Sequence, residues 1–427
     1  MKIALYGHSC TISSEEEALA MDHDLNIDHD LNIDRVLPVD HAIDDSSHQV
    51  VVTAVSRLSS ASACAQELAE AFADSRLKWL LFFCSAQQDV EELATALERL
   101  LPDRSIIGCT SAGELSPMGY CQGSVAAAAF PDDSFHIETA LIEQLDHFDF
   151  TEAQRQVGQM LESCQQQQKA PLKGHTFLLT LLDGMSEHEE VVLNTLNAVL
   201  GSIPMLGGSA GDDLAFGHTQ VVYQGKAYQN AAVLMMVNTD CSFMLFSQKH
   251  AEDTDELFVA TKVDSEHRRV YELNAEPAAE AYARSIGVHL NALTPEIFAQ
   301  HTLSVRIAGE SFVRAVQQAN DDGSLSFYCA VERGIVLRRN RHLNIPDALD
   351  VLLERIDAGL GEQQVILGFD CIFRQLELGA LNALDTVSQR LSKRPIVGFN
   401  TYGEHMNGIH LNATFTGVAI GRPKGAL

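Results

Sequence analysis

The sequence predicts an α/β (α+β) fold of two layered domains, with mixed sheets built on repeated strand-helix-strand units. Three observations carry this. The chain has 427 residues, too many for one ordinary core. Its composition, 46% hydrophobic and 20% charged, is that of a folded globular protein. One pattern occurs three times along it: a buried strand, an amphipathic helix, a short second strand and a Gly-framed polar turn ending in an acid.

Residues 1–49 read as an acidic segment with a short strand. Within it Asp22-His23-Asp24-Leu25-Asn26-Ile27 is followed by its own copy over 28–33. The Asp22, Asp24, Asn26 and Asp28 spacing imitates a calcium loop. However, Ile27 stands where the sharp turn needs Gly, and Ile33 where a bidentate Glu is needed, so a local duplication is the better reading. The start of the chain lacks a signal-peptide pattern, and no apolar run approaches the eighteen or so residues of a membrane helix. The expected location is the cytoplasm.

A first domain is expected over 50–240. Residues 50–55 read as a strand, and Ser60 opens a helix whose Cys64, Leu68 and Phe72 share one face. The first copy of the pattern has a strand over 79–83 and a helix with capping-box spacing at Asp89 and Glu92. Its stripe is Val90, Leu93, Ala94, Leu97 and Leu101, and its turn reaches Glu114. The second copy repeats this from a strand over 177–182, with Ser186 and Glu189 as the cap, to a turn ending at Asp212. Asn238-Thr239-Asp240 is the expected joint to a second domain over 241–427.

That domain opens with a different stretch over 257–345. Pro277 is placed for the first turn of a helix, and strands over 326–331 and 334–337 are expected to join at Glu332-Arg333. The third copy runs from a strand over 365–369 to a turn ending at Glu404. An apolar run follows each turn, over 125–130, 231–237 and 415–420, which extends each sheet.

Charge and cysteine usage narrow the function. Lys+Arg 29 against Asp+Glu 58 gives 29 − 58 = −29, which repels nucleic acid and anionic lipid. Nine scattered cysteines without a Cys-x-x-Cys pair read as reduced, packed thiols.

Five motifs in order resemble the FIST domains, an N-terminal and a C-terminal module of prokaryotic signalling proteins. The N-terminal likeness rests on Ile107-Gly108-Cys109-Thr110-Ser111-Ala112-Gly113-Glu114 and on Gly207-Gly208-Ser209-Ala210-Gly211-Asp212-Asp213 with Phe216. The C-terminal likeness rests on Val270-Tyr271-Glu272-Leu273-Asn274 with Pro277, Ala278 and Tyr282, on Gly368 to Arg374, and on Gly398 to Glu404. Within that class the Asn400-Thr401-Tyr402-Gly403-Glu404 and His410-Leu411-Asn412 segments resemble the NosP haemoproteins. The resemblance implies a non-enzymatic haem-based nitric oxide sensor that signals to a histidine kinase and influences cyclic-di-GMP and biofilm behaviour. It implies non-covalent haem b with His410 as the iron ligand, and Tyr402, Met406 and Phe415 along the porphyrin. In the family pattern the His405 position is often Gln, so His405 is a local departure and an alternative ligand. Nitric oxide would weaken the bond to His410 and free residues 398–412 as the signalling element.

Two other readings stand beside it. A FIST module that senses a small, amino-acid-like ligand without haem fits the repeated polar turns equally well, since Glu114, Asp212, Asp213 and Glu404 could take a metal or an amine. They could equally satisfy turn N–H groups. A serine hydrolase is suggested by the G-x-S-x-G form at Ser209, but the residues after it do not read as the helix an elbow requires. His188-Glu189-Glu190 is no zincin motif, because Val192 takes the second His place. Arg374 is open between facing a ligand and pairing with an acid such as Glu404.

Overall fold

The computed structural model describes residues 51–307 and 309–422; the duplicated segment of residues 22–33 lies outside them. Among the described residues the threefold pattern becomes three modules. The first opens with strand Val52–Ser56 and helix Ala61–Ala71, which Ser60 caps by accepting from Ala63 N. Cys64, Leu68 and Phe72 are fully buried, as their four-residue spacing predicts. Strand Leu77–Ser85, helix Val90–Leu100, strand Ser105–Ser111 and strand Val125–Pro131 complete it. Asp89 caps the second helix by accepting from Glu92 N at 2.9 Å.

The second module repeats this order: Phe135–Glu143, helix Phe150–Gln167, Thr176–Leu182, helix Glu189–Leu200, Met205–Ser209 and Ala231–Thr239. The third does so with Phe243–Lys249, helix Ile345–Leu360, Gln363–Cys371, Ile396–Thr401 and Thr414–Gly421. Its second helix is split into Ile372–Ala380 and Leu384–Leu391, where Asn382 turns the backbone to φ 53.

Each module supplies four strands of a six-stranded sheet, and the other two arrive from a neighbour. After its polar turn, each module sends out a short hairpin. Glu114–Ser116 and Gly119–Cys121 join the third sheet beside Ile396–Thr401. Val221–Tyr223 and Lys226–Tyr228 join the first sheet beside Ser105–Ser111. Gly403–Met406 and Ile409–Leu411 join the second beside Met205–Ser209. The exchange is cyclic, so the three turns meet at one place. There the N–H groups of Ala112, Gly211 and Tyr402 donate to the carbonyls of Asn400, Thr110 and Ser209 at 3.1, 3.1 and 3.2 Å. This ring satisfies backbone groups that the strand ends would otherwise leave unpaired. It also requires small residues, since a Cβ on Gly211 would sit 2.7 Å from Ala112 N.

The main apolar cluster fills the space between the three sheets, with Phe83 stacked on Phe399 (4.7 Å) and edge-on to Phe369 (6.2 Å). Smaller clusters lie between each sheet and its helices. The stretch between Phe243–Lys249 and Ile345–Leu360 is an insert with its own eight-stranded sheet and core.

Two sequence expectations change here. Leu325–Phe327 and Val336–His342 are not a hairpin. The first pairs with Arg269–Leu273 and Val316–Ala319, the second with Ala251–Asp264 and Leu303–Ile307. Ser186 does not cap the helix Glu189–Leu200; its hydroxyl accepts from His188 N, and Glu189 turns inward instead. At residues 238–240, between the second and third modules, Asn238 is bonded to Thr176 Oγ1 at 2.9 Å and to Ala170 N at 3.0 Å.

Candidate functional site

Two of the turn acids are held in the same way. Glu114 Oε1 accepts from Ser111 Oγ and Oε2 from Ser124 N and Oγ, while Glu404 accepts likewise from Thr401 and from Thr414 N and Oγ1. Both are buried. Burial pushes each carboxyl up to about 7, against the lowering by these donors. They close their turns. Asp212 binds the Tyr402 hydroxyl and accepts from Phe216, Gly217 and His218 N.

The burial of Glu404 carries a pH signature. Folding favours its protonated form, so its contribution is present near its ordinary value of 4.5 and is lost as pH rises through about 7. Glu404→Gln cannot ionise. The excess stability of wild type over the variant is therefore expected to shrink between these pH values. Urea unfolding of both proteins across the range measures it; a constant difference would mean that Glu404 stays ionised in the fold.

The sequence-predicted ligand His410 lies on the exchanged hairpin, opposite His405. Its ring is enclosed by groups from three parts of the chain. From the helix Glu189–Leu200 come Glu189 and Glu190, in the turn where the helix dipole favours negative charge. The insert brings Arg268, whose Nη2 donates to Glu189 Oε2 and Glu190 Oε2 at 2.6 Å each, and Cys329. Cys329 Sγ donates to Asn412 Oδ1 at 2.5 Å, and burial pushes its thiol up to about 12. Burial would raise Glu190, but His410 and Arg268 outweigh it and hold the carboxyl below its usual range. His410 Nδ1 is 3.4 Å from Glu190 Oε1, and neither ring nitrogen makes a hydrogen bond.

This arrangement does not fit an axial haem ligand. His410 Nε2 lies against the backbone of Gly403, where even a Cβ would approach to 1.7 Å. Its Nδ1 faces Glu190. Tyr402, Met406 and Phe415 do not line one surface but belong to three separate apolar clusters. Tyr402 packs against Phe216 and Tyr328, and Phe415 against Phe246 under Arg374. The segment 398–412 is not a free loop either, being largely strand and buried. Period-2 burial on two sheets sends neighbouring apolar residues to different cores, which a one-dimensional reading takes for one pocket.

His405 is also closed. Its Nδ1 lies 2.9 Å from Thr180 Oγ1 and its Nε2 3.0 Å from Ser209 Oγ, and burial lowers its pKa well below the ordinary value. Ser209 also donates to Glu189 Oε1 at 3.1 Å. A Ser–His contact exists, therefore, but both residues are fully buried and no helix follows Ser209. The elbow reading fails on the turn's own geometry.

A second buried cluster sits where the chain enters and leaves the insert. His250 Nε2 and His342 Nδ1 both donate to Glu377 Oε2 at 2.7 Å. Arg374 Nη1 donates to His250 Nδ1 at 3.2 Å, and Thr302 Oγ1 lies 2.9 Å from His342 Nε2. Burial, together with Arg374, lowers His250 to about 4 against the pull of Glu377. Arg374 pairs with Asp370 at 2.6 Å, not with Glu404. Both clusters, Glu190–Cys329–His410 and His250–His342–Glu377, have the residue types and spacing to coordinate a metal ion. None of Arg268, Cys329, His250, His342 or Glu377 carries a local sequence signal, because the partners cited for them are 35 to 127 residues away.

Between the first two modules lies an open cleft of about 420 Å³, within the usual range for small ligands. It is lined by Gln88, Asp89, Glu91, Asp212, His218 and Gln220, among others, with no Lys or Arg. Gln88 Nε2 donates to Leu58 O at 2.8 Å, which fixes the amide orientation and leaves its buried Oε1 without a partner. Among the described residues, no helix is long and apolar enough to cross a membrane.

Comparison with known proteins finds two domain patterns along the chain. The FIST N domain pattern matches residues 78–276 and the FIST C domain pattern residues 278–407. The chain is also 21% identical over 387 residues to the uncharacterized protein MJ1623 of Methanocaldococcus jannaschii, covering 80% of this chain and 73% of that one. With the two patterns adjacent and in order, this chain belongs to the FIST proteins, a FIST N domain followed by a FIST C domain.

Proposed function

We propose that this protein is a haem-independent FIST sensor of a small, amine-bearing ligand of amino-acid type, bound in the cleft between the first two modules. The observation that carries the reading is the buried, unpartnered Oε1 of Gln88 in a cleft walled by Asp89, Glu91 and Asp212. A lone carbonyl oxygen there wants an N–H donor, and the carboxylates around it favour a cationic one. The ligand would bridge Gln88 of one module and the 212–220 turn of the next, and so bias how the two modules sit together. In this proposal the halves 50–240 and 241–427 act as receiver and transmitter, with the histidine kinase implied by the resemblance as listener. The haem-based nitric oxide reading rests on that resemblance alone, and the closed surroundings of His410 lend it no support.

Thermal unfolding against a panel of amino acids and small amines tests the proposal. A true ligand at a hundred times its Kd adds about 2.7 kcal/mol to stability. Gln88→Met keeps the volume and removes the acceptor, and is expected to weaken binding about tenfold, or ~1.4 kcal/mol. Binding that is unchanged in Gln88→Met, or no stabilisation by any member of the panel, would refute it.

A further inference from the structure

We propose that Glu190, Cys329 and His410 form a zinc-binding site that clips the insert of the FIST C domain to the FIST N domain. The site is independent of the cleft at Gln88. Its thiol, imidazole and carboxylate are the donor set of borderline divalent ions, and they disfavour calcium and magnesium, which take oxygen ligands only. One ligand atom from each of the three lies within 4.8 Å of the others.

The orphaned histidine sets this cluster apart. A buried imidazole ordinarily has hydrogen-bond partners for its nitrogens, yet His410, with its side chain 1% exposed, makes no hydrogen bond through either and has only the Glu190 contact at Nδ1. The 3.4 Å between His410 Nδ1 and Glu190 Oε1 is an ion-pair contact that does not count as a hydrogen bond. It matches the ~3.4 Å edge between N and O ligands of a tetrahedral zinc with bonds of about 2.1 Å. In the other cluster every ring nitrogen is already engaged.

The surroundings of Glu190 suit an outer shell. Its Oε2 is held by Arg268 and its Oε1 also accepts from Ala330 N at 2.9 Å, which orients the carboxylate toward His410. Glu190 is the partly exposed member, its side chain 22% accessible, and gives the ion an entry path. Zinc would replace the Cys329 thiol proton, which leaves to solvent, and no electron is transferred. Cys329 Sγ would then turn from Asn412 Oδ1 toward the ion, leaving that oxygen its bond from Ala315 N at 3.4 Å. The fourth position is left for water or a ligand. Three segments far apart in sequence are thereby joined: the helix Glu189–Leu200, the insert turn holding Cys329, and the exchanged hairpin.

Cobalt titration of the full-length protein tests this, since Co²⁺ reports thiolate ligation and tetrahedral geometry in its spectrum. One equivalent is expected to give a near-ultraviolet thiolate-to-cobalt band and intense visible bands, both removed by one equivalent of Zn²⁺. Cys329→Ser should abolish the thiolate band, and His410→Ala and Glu190→Gln should each weaken zinc binding about tenfold or more. Wild-type protein without a thiolate band overturns the proposal irrespective of how the variants fold. So does a band that persists in folded Cys329→Ser, which would place the metal on another cysteine.

Discussion

Replacing Arg374 with Met is expected to cost about 3–5 kcal/mol of stability, the range for breaking a buried ion pair from one side. Arg374 and Asp370 are each about 1% exposed and 2.6 Å apart. Asp370 otherwise has the Tyr120 hydroxyl, from the hairpin donated by the first module. Without the guanidinium, the Asp370 carboxylate stays in the interior with no counter-charge. His250 also loses the donor at its Nδ1, which keeps the proton on Nε2 facing Glu377. Met fills much of the volume, so the loss is electrostatic rather than a cavity effect. Urea unfolding of the two proteins measures it. The half-exposed Arg394, bonded to Asp357, supplies the contrast: Arg394→Met should cost no more than about 1 kcal/mol. A loss below 1 kcal/mol in Arg374→Met would mean that the pair is not charged in the folded state.

Gly398→Ala should be nearly as damaging, at about 3 kcal/mol or more. Gly398 faces Gly368 in the parallel pair of Gln363–Cys371 and Ile396–Thr401, and an added Cβ would stand 1.8 Å from Gly368 O. The obstacle is backbone within a paired sheet, which cannot rotate away, so the strands must part. Gly207 holds the matching place in the second module, where a Cβ would meet Thr180 O at 1.9 Å. Gly201→Ala is the control: its φ is 64 but nothing lies within 4 Å of the added atom. Its cost is then the backbone strain alone, about 1–2 kcal/mol. Equal losses in both variants would show that contact at Gly398 is relieved at no cost.

Local pattern was legible in the sequence. The three copies, the stripes of the helices at 61–71 and 90–100, and the Asp89 cap are properties of neighbouring residues, and each appears in the fold. The FIST N and FIST C order was legible too, from five short motifs, three of which form the ring of turns where the modules meet. The threefold echo also foretold acids at equivalent turns, though their partners, Ser124 and Thr414, lie ten residues downstream.

Site chemistry was not legible in the same way, for a physical reason. His410 on an apolar strand has the same sequence context whether its ring meets iron, water or protein. Only the cyclic exchange of hairpins places it beside Glu190, and only the insert brings Arg268 and Cys329 to that spot. Tyr402, Met406 and Phe415 are close in sequence yet serve three cores, because the chain changes sheets between them. The sequence by itself determined which segments are strands, helices and turns, since those choices are made by contacts within a few residues. Tertiary structure alone decided which polar groups are buried together, since those contacts span up to 313 residues and depend on which module receives each hairpin.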